Sequence, residues 1–275
     1  DGAFDATDVY FLLAYETKGK IMTELLNFQR VMALVDLWRC VDFLAGIVLL
    51  WIVTGMLKTQ GKLRESDSRK INHIAVFVGG ALTFGWLPEM AARVNLYAIA
   101  SAIFILIYLV CRYRTVPPFC YAYAANTRAS DAPHTTFFFG FSWCVSIAAL
   151  AIVDLLFAQM SVTRTALLVV GVADGIAEPV GRRFGKHKYP VFSFGTKTSF
   201  RSIEGSLAVW LGTLVVFVIC STSGLSYSVW LVAALLMAST VALVEAVSPR
   251  GCDNFSLLML VAGLMDGFMR SHWIA

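Results

Sequence analysis

Two carboxylates stand one helical turn apart in the segment GVADGIAEPV, where an apolar run ends. Asp174 and Glu178 have the i, i+4 spacing that places both side chains on one face of a helix, although Pro179 can kink or end the helix there. Carboxylate oxygens suit Mg²⁺, a hard cation that commonly shares its coordination sphere with substrate phosphates. The spacing therefore indicates a magnesium site formed by Asp174 and Glu178.

A basic segment interspersed with glycines follows directly. Cations neutralise phosphate oxygens, and glycines let backbone N–H groups approach them closely, so the segment suits a polyphosphate. A positively charged loop that binds anionic lipid headgroups is the ordinary alternative. The position of Asp174 and Glu204 at the edges of apolar helices, where ionised groups are costly, favours a functional site. The residues that we expect to hold phosphates are Arg182, Arg183, Lys186 and Lys197.

Two further polar clusters flank other apolar runs. The first, RKINHI, contains Lys70 and His73, and the second, VEAVSPRGCDN, contains Asp253 and Asn254. Taken singly, His73 suits a hydrogen bond at a helix end, and Asp253 suits a helix N-cap. All three clusters fall on the same side of the predicted topology, so a shared site explains them better.

The composition is that of a membrane protein. The chain has 275 residues, of which 58% are hydrophobic and 15% charged, and its mean hydropathy is +0.72. Soluble domains are about 25% charged, whereas these apolar runs approach the roughly 20 helical residues that a bilayer requires. Lipid offers no partner to open strand edges, so the spans are predicted to be helices. We predict an all-α, polytopic membrane protein with about eight transmembrane helices, at 41–57, 71–88, 94–111, 134–158, 163–177, 203–222, 226–247 and 254–269.

Residues 1–40 are predicted to form an N-terminal interfacial or partial membrane segment, because 22–40 combine helical apolar spacing with charges. Residues 41–275 are predicted to form a single multi-span catalytic domain. The chain begins with Asp1 rather than Met, so a signal peptide or a further span could precede it, and this question stays open. The six cysteines have no CxxC spacing and are expected to be small packing residues.

Lysine and arginine in the loops predict the orientation. When the spans alternate, the loops on one side hold fifteen of these residues, against three near the other side. We therefore expect the basic side, and with it the shared site, to face the cytosol. The loops on the basic side are 58–70, 112–133, 178–202 and 248–253.

These motifs resemble those of the polyprenol and phytol kinase family, which includes dolichol kinases and is related to the phosphatidate cytidylyltransferases. The resemblance rests on DGIAEPVGRRFGKHK, the KT and EG that follow it, and the flanking RKINHI and VEAVSPRGCDN, and it spans about residues 66–260. It implies a multi-span enzyme that moves the γ-phosphate of a nucleotide, typically CTP, to the hydroxyl of a membrane lipid alcohol. Two positions depart from the usual pattern: Ala173 stands in place of Gly, and Glu178 in place of Asp.

The resemblance implies an isoprenoid acceptor (phytol, farnesol, dolichol or polyprenol) or a similar lipid alcohol, CTP as the donor, and a requirement for Mg²⁺. Such transfer depends on positioning and charge neutralisation. Asp174 and Glu178 would bind the metal, and Glu204 would be a second metal contact or the base on the lipid hydroxyl. Asp174 and Glu204 are thus the expected catalytic residues, and no nucleic-acid partner is expected. The residues expected to complete the nucleotide pocket are Lys70, His73, Asp253 and Asn254.

Two alternatives stay open. A cytidylyltransferase that forms a CDP-lipid would use a related site, but the HGG and DRxD elements of that signature are absent from the sequence. Their absence favours phosphoryl over nucleotidyl transfer. A membrane transporter would place polar residues near the bilayer midplane on broken helices, whereas these acids cluster at one interface.

Overall fold

The computed structural model describes residues 35–85, 87–157, 159–191, 199–220, 227–249 and 252–273. Within these ranges the chain forms ten α-helices and one two-stranded antiparallel sheet. The helices are α1 (Leu37–Thr59), α2 (Glu65–Phe84), α3 (Glu89–Arg112), α4 (Phe119–Asn126), α5 (Thr135–Leu156), α6 (Met160–Val169), α7 (Gly175–Phe184), α8 (Ile203–Ile219), α9 (Tyr227–Val247) and α10 (Asp253–Trp273). The strands are β1 (Lys188–Val191) and β2 (Ser199–Ser202).

Five segments of the described chain are long and apolar enough to cross a membrane. They are α1, α3, α5, the run Met160–Phe184 and the part of α9 at Ser228–Val247. These segments fit an all-α polytopic membrane protein, but the predicted number of eight spans is not confirmed. The other three predicted spans, in α2, α8 and α10, are helical. However, α8 has only 17 residues, and α2 carries charged side chains through its first two turns.

The helical run that carries the two carboxylates changes geometry at its centre. α6 passes into a π turn at Val170–Asp174, which leads directly into α7. Pro179 lies inside α7 without ending it, although a proline removes one intrahelical hydrogen bond. Asp174 is the last residue of the π turn, a geometry that is frequent at functional sites.

A hairpin and a short helix lie in segments that the sequence suggested were loops. The predicted loop 178–202 is helical as far as Phe184, and it ends in a hairpin that pairs Lys188 with Ser202. The all-α prediction omitted this hairpin. Its strands of four residues each lie outside the apolar runs, so the lipid argument against strands does not apply to them. The short helix is α4, in the predicted loop 112–133.

Glycines bring α7 and α8 into close contact beneath the hairpin. A Cβ atom added at Gly205 would lie 3.1 Å from the Ala177 carbonyl oxygen, and one at Gly181 would lie 2.8 Å from Ser202 Oγ. A larger residue at either position would have to displace the Ala177 carbonyl group or the Ser202 side chain. The DGIAEPVGRR helix and the segment IEG therefore meet at one point.

Polar loops gather at one end of the helices. Lys58 Nζ donates to the carbonyl oxygens of Ala124 and Thr127, at 2.7 and 2.8 Å, and so ties the end of α1 to the end of α4. At the opposite end, Arg93 and Tyr97 contact Asp154 at 3.0 and 2.7 Å. The loops predicted to share a face do so in the described residues, whereas their cytosolic orientation stays a prediction. Arg250 lies outside the described residues.

Candidate active site

Asp174 forms the buried centre of the site. Its Oδ2 lies 2.6 Å from Lys70 Nζ and 3.3 Å from His73 Nε2, and the side chains of Asp174 and Lys70 are each 6% exposed. His73 Nε2 also lies 3.1 Å from the carbonyl oxygen of Val170 in the π turn. A buried carboxylate needs such compensation, because isolated charge is costly away from water. The RKINHI cluster and the DG motif therefore belong to one site.

Glu178 binds three arginines from three different segments. Its Oε2 accepts from Arg69 of α2 and, at 3.1 Å, from Arg128 after α4. Its Oε1 lies 3.1 Å from Arg182, one turn further along α7. One carboxylate thus fixes three guanidinium groups, which are the side chains best suited to bidentate phosphate binding. Glu178 positions these cations.

A second ion-pair group closes the site from the other side. Arg201 at the end of β2 lies 2.8 Å from Glu245 Oε1 and 3.9 Å from Asp253 Oδ2. Glu245 is buried near the end of α9, and Asp253 begins α10. The segment VEAVSPRGCDN thereby reaches the hairpin.

These groups surround a cavity of about 490 Å³. Its wall combines cations and carboxylates with small residues, and one aromatic side chain lies at its edge. A cavity with this lining suits a small polyanion that is held by several convergent groups. The lining residues are Lys70, Arg128, Ser130, Asp174, Ala177, Glu178, Gly181, Arg182, Lys188, Phe200, Arg201, Ser202, Gly205, Ser206, Glu245 and Asp253.

A smaller cavity of about 80 Å³ adjoins the first, since Lys70, Arg128, Asp174 and Asp253 line both. Its other lining residues include His73 and Asn254 and the aromatic side chains of Phe77, Phe138, Phe139 and Trp143. Asn254 Nδ2 donates to Ser146 Oγ at 2.9 Å. Asn254 Oδ1 is buried and has no hydrogen-bond partner within the described part of the chain.

Glu204 does not line either cavity. Its Oε1 accepts hydrogen bonds from the backbone N–H groups of Lys186 and His187, at 3.0 and 3.3 Å, and lies 3.0 Å from His187 Nδ1. This carboxylate therefore anchors the chain that leads into β1. The contacts favour a positioning role over the predicted role as base or second metal ligand, because the side chain is directed at the loop.

The hairpin is also fixed through Tyr189 of β1, whose hydroxyl lies 2.6 Å from Ser206 Oγ. Burial raises the pKa of this tyrosine, so its hydroxyl stays protonated at neutral pH. Ser206 belongs to α8 and lines the large cavity. Tyr189 and Glu204 together hold the hairpin in place over the site.

The predicted phosphate ligands fall into three groups. Arg182 lines the large cavity, as expected. Arg183 instead binds Asp67 Oδ2 of α2 at 2.6 Å, and neither it nor the exposed Lys186 lines the cavities. Lys197 lies outside the described residues. Arg183 therefore packs α7 against α2 outside the cavity lining, and its role as a phosphate ligand stays a prediction.

Arg128, Lys188 and Arg201 line the cavity, although they are not among the residues predicted to hold phosphates. Glu245, which also lines it, has no predicted role of its own. Glu245 belongs to the cluster VEAVSPRGCDN, which the sequence predicts on the same face as the site. Arg128 has no such signal, since it follows a short helix in a predicted loop and reaches Glu178 only through the fold.

The site fits magnesium through Asp174 better than through the predicted pair. Both oxygens of Glu178 are engaged by arginines. Lys70 and His73, in contrast, both contact the same oxygen of Asp174, Oδ2. Mg²⁺ commonly takes one or two carboxylates together with waters and substrate phosphates. Among the described residues, no group of three or more His, Cys, Asp and Glu side chains could hold a metal by itself.

The comparisons with known proteins find a partial relative. The chain is 36% identical over 96 residues to the phytol kinase of Synechocystis sp., a match that covers 33% of this chain and 37% of that protein. The chain therefore spans little more than a third of the length of the curated relative that it matches. No protein-family model and no solved structure matches the chain. The similarity supports a relationship to prenyl-alcohol kinases, without identifying a particular member.

Proposed function

We propose that this protein is a membrane kinase that transfers the γ-phosphate of CTP to the hydroxyl of an isoprenoid or similar lipid alcohol. The observation that carries the proposal is the polar cavity of about 490 Å³, which brings the three motif clusters together at one end of apolar helices. The partial similarity to a phytol kinase supports the same class of reaction. The fifteen basic residues of the predicted cytosolic side support access to cytosolic nucleotide.

The donor phosphates would bind the cations of the cavity wall. Arg128 and Arg182 are held by Glu178 at 3.1 Å each, and Lys188 approaches from the hairpin. Phosphoryl transfer requires little covalent participation by the protein, so fixed cations around the transferred group supply much of the catalysis. Mg²⁺, when bound at Asp174, would supply further neutralisation of the phosphate oxygens. Lys70 Nζ lies 2.6 Å from Asp174 Oδ2 and compensates the charge of this carboxylate.

In the proposed reaction the lipid hydroxyl oxygen forms a bond to the γ-phosphorus while the bond from that phosphorus to the bridging β-oxygen breaks. The products are a lipid monophosphate, CDP and the proton of the hydroxyl. A carboxylate in the cavity must accept that proton or lie close to its path. Asp253 fits this role best, because it lines both cavities and lies 3.9 Å from the nearest Arg201 nitrogen.

The test uses purified protein in lipid vesicles with CTP or ATP and, in separate reactions, phytol, farnesol, dolichol or diacylglycerol. We expect a lipid monophosphate and CDP to form in equal amounts with at least one isoprenoid alcohol. Release of pyrophosphate with a CDP-lipid would instead identify a cytidylyltransferase. Failure of every alcohol to react with either nucleotide would reject the proposal.

A further inference from the structure

The large cavity has an aromatic side chain at its edge that is also open to the outside. Phe200 of β2 lines the cavity and is nevertheless 62% exposed. Ile203, the first residue of α8, follows three residues later in the chain and is 60% exposed. A large apolar side chain that both lines a polar cavity and lies open at the surface marks an opening that suits an apolar ligand.

An apolar stripe leads from this opening along α8. The stripe repeats every four residues, so each member lies close to the previous one and the stripe curves around the helix as it ascends. α8 is apolar over 17 residues, and in a membrane protein such a stripe contacts lipid. Its residues are Ile203, Leu207, Leu211, Val215 and Ile219, and each is exposed.

The hairpin turns the same face toward the cavity. Lys188 pairs with Ser202, and Pro190 pairs with Phe200. Alternate residues of a strand share a face, and three of these four (Lys188, Phe200 and Ser202) line the cavity. Two residues along this face, the aromatic side chain of Phe200 is followed by the hydroxyl of Ser202 and the ammonium group of Lys188.

We propose that the lipid alcohol reaches the site laterally from the bilayer, with its chain along the α8 stripe and over Phe200. Its hydroxyl would then lie beside Ser202 and Ser206, within the polar cavity. The inference rests on the proposed function, since the ligand is its acceptor substrate. Phe200 and Ile203 would be specificity residues for a long apolar chain, while the cations of α7 and the Arg128 segment hold the nucleotide.

The smaller cavity fits the acceptor chain less well. Its volume is about 80 Å³, against about 490 Å³ for the large cavity. Arg69, Arg128 and Asp131 line it together with the aromatic side chains, so a hydrocarbon chain there would desolvate charged groups. The α8 stripe carries no such charges.

The first experiment maps the bound alcohol directly. An isoprenoid alcohol that carries a diazirine near its hydroxyl is incorporated into vesicles with the wild-type protein, without nucleotide, and is photolysed. Mass spectrometry is expected to find the adduct in the peptide that covers residues 200–207. An adduct confined to α5 or α9, or none above the level of an unrelated membrane protein, would overturn the inference.

The second experiment compares matched aromatic substitutions. Phe200→Ser is expected to raise the KM for a long-chain alcohol about tenfold, while the KM for CTP stays within about twofold of wild type. Phe137→Ser is the control, because Phe137 is 63% exposed near the start of α5 and lines neither cavity. It should change neither constant. Equal effects of the two substitutions, or an unchanged alcohol KM in Phe200→Ser, would overturn the inference.

The two experiments separate this inference from the proposed function. If no alcohol is phosphorylated but the adduct still maps to 200–207, the proposed reaction fails and lateral lipid binding stands. If phosphorylation occurs and the adduct maps elsewhere, the kinase stands and lateral access along α8 fails.

Discussion

Replacing Asp174 with Asn tests whether this buried carboxylate serves turnover as well as stability. Lys70 Nζ lies 2.6 Å from Asp174 Oδ2, and both side chains are 6% exposed. The substitution keeps the shape of the side chain but leaves the Lys70 charge without its partner. Removal of one member of a buried ion pair costs about 3–5 kcal/mol of stability. Loss of the carboxylate that would hold Mg²⁺ should also lower turnover by about 10³-fold, equivalent to about 4 kcal/mol.

The double variant Lys70→Met with Asp174→Asn separates the two effects. Because it removes both charges of the pair, its stability should recover part of the loss seen in Asp174→Asn. Its turnover should not recover, since the cavity still lacks the carboxylate. Stability is measured as the thermal unfolding midpoint in detergent. Turnover is measured as lipid phosphate formed per folded molecule, at a temperature below the midpoint of the weakest variant.

Asp154→Asn is the matched control at the opposite end of the helices. Asp154 lies 3.0 Å from Arg93 and is 14% exposed in its side chain, so its loss should lower stability and leave turnover per folded molecule unchanged. Turnover within tenfold of wild type in Asp174→Asn would remove Asp174 from the catalytic site. Recovery of turnover in the double variant would show that Asp174 has only a structural role.

Three further predictions concern the hairpin, the arginines and the topology. Glu204→Gln should keep kcat within about tenfold of wild type, because an amide oxygen can still accept hydrogen bonds from the two backbone N–H groups. A loss of about 10³-fold in kcat would instead support the predicted role of Glu204 as the base. Arg182→Ala should raise the KM for CTP about tenfold. Arg183→Ala should leave that KM unchanged and cost at most about 1 kcal/mol of stability. Equal effects of the two substitutions on the KM would contradict a packing role for Arg183. Cysteines placed at Lys62 and Lys186 in a cysteine-free background should react with a membrane-impermeant maleimide from the same, cytosolic side, and labelling from opposite sides would rule out the shared site.

The local part of the site could be predicted from the sequence. Asp174 and Glu178 are four residues apart on a helical run, and that spacing alone brings them to one side. The helical segments follow from apolar runs of sufficient length, which is a property of the chain itself. The number of spans could not be settled this way, because α2 and α8 are helices of intermediate length and polarity.

The partners of these carboxylates could not be predicted, because they depend on long-range packing. Arg69 and Arg128 reach Glu178 from positions 109 and 50 residues away. No periodicity indicates which of several basic residues will arrive there. The direction of Glu204 is likewise set by the hairpin and not by the helix that it begins, so its place at a helix edge favoured a catalytic role that the contacts do not support.

The most direct test of the central claim is the fate of the donor phosphates. The protein in isoprenoid-containing vesicles is given CTP labelled at the γ-phosphate in one reaction and at the α-phosphate in another, and the lipid and aqueous fractions are separated. If the protein is the proposed kinase, the γ-label is expected in the lipid fraction and the α-label in the aqueous fraction, as CDP. Transfer of the α-label to the lipid, or unlabelled lipid in both reactions, would contradict it.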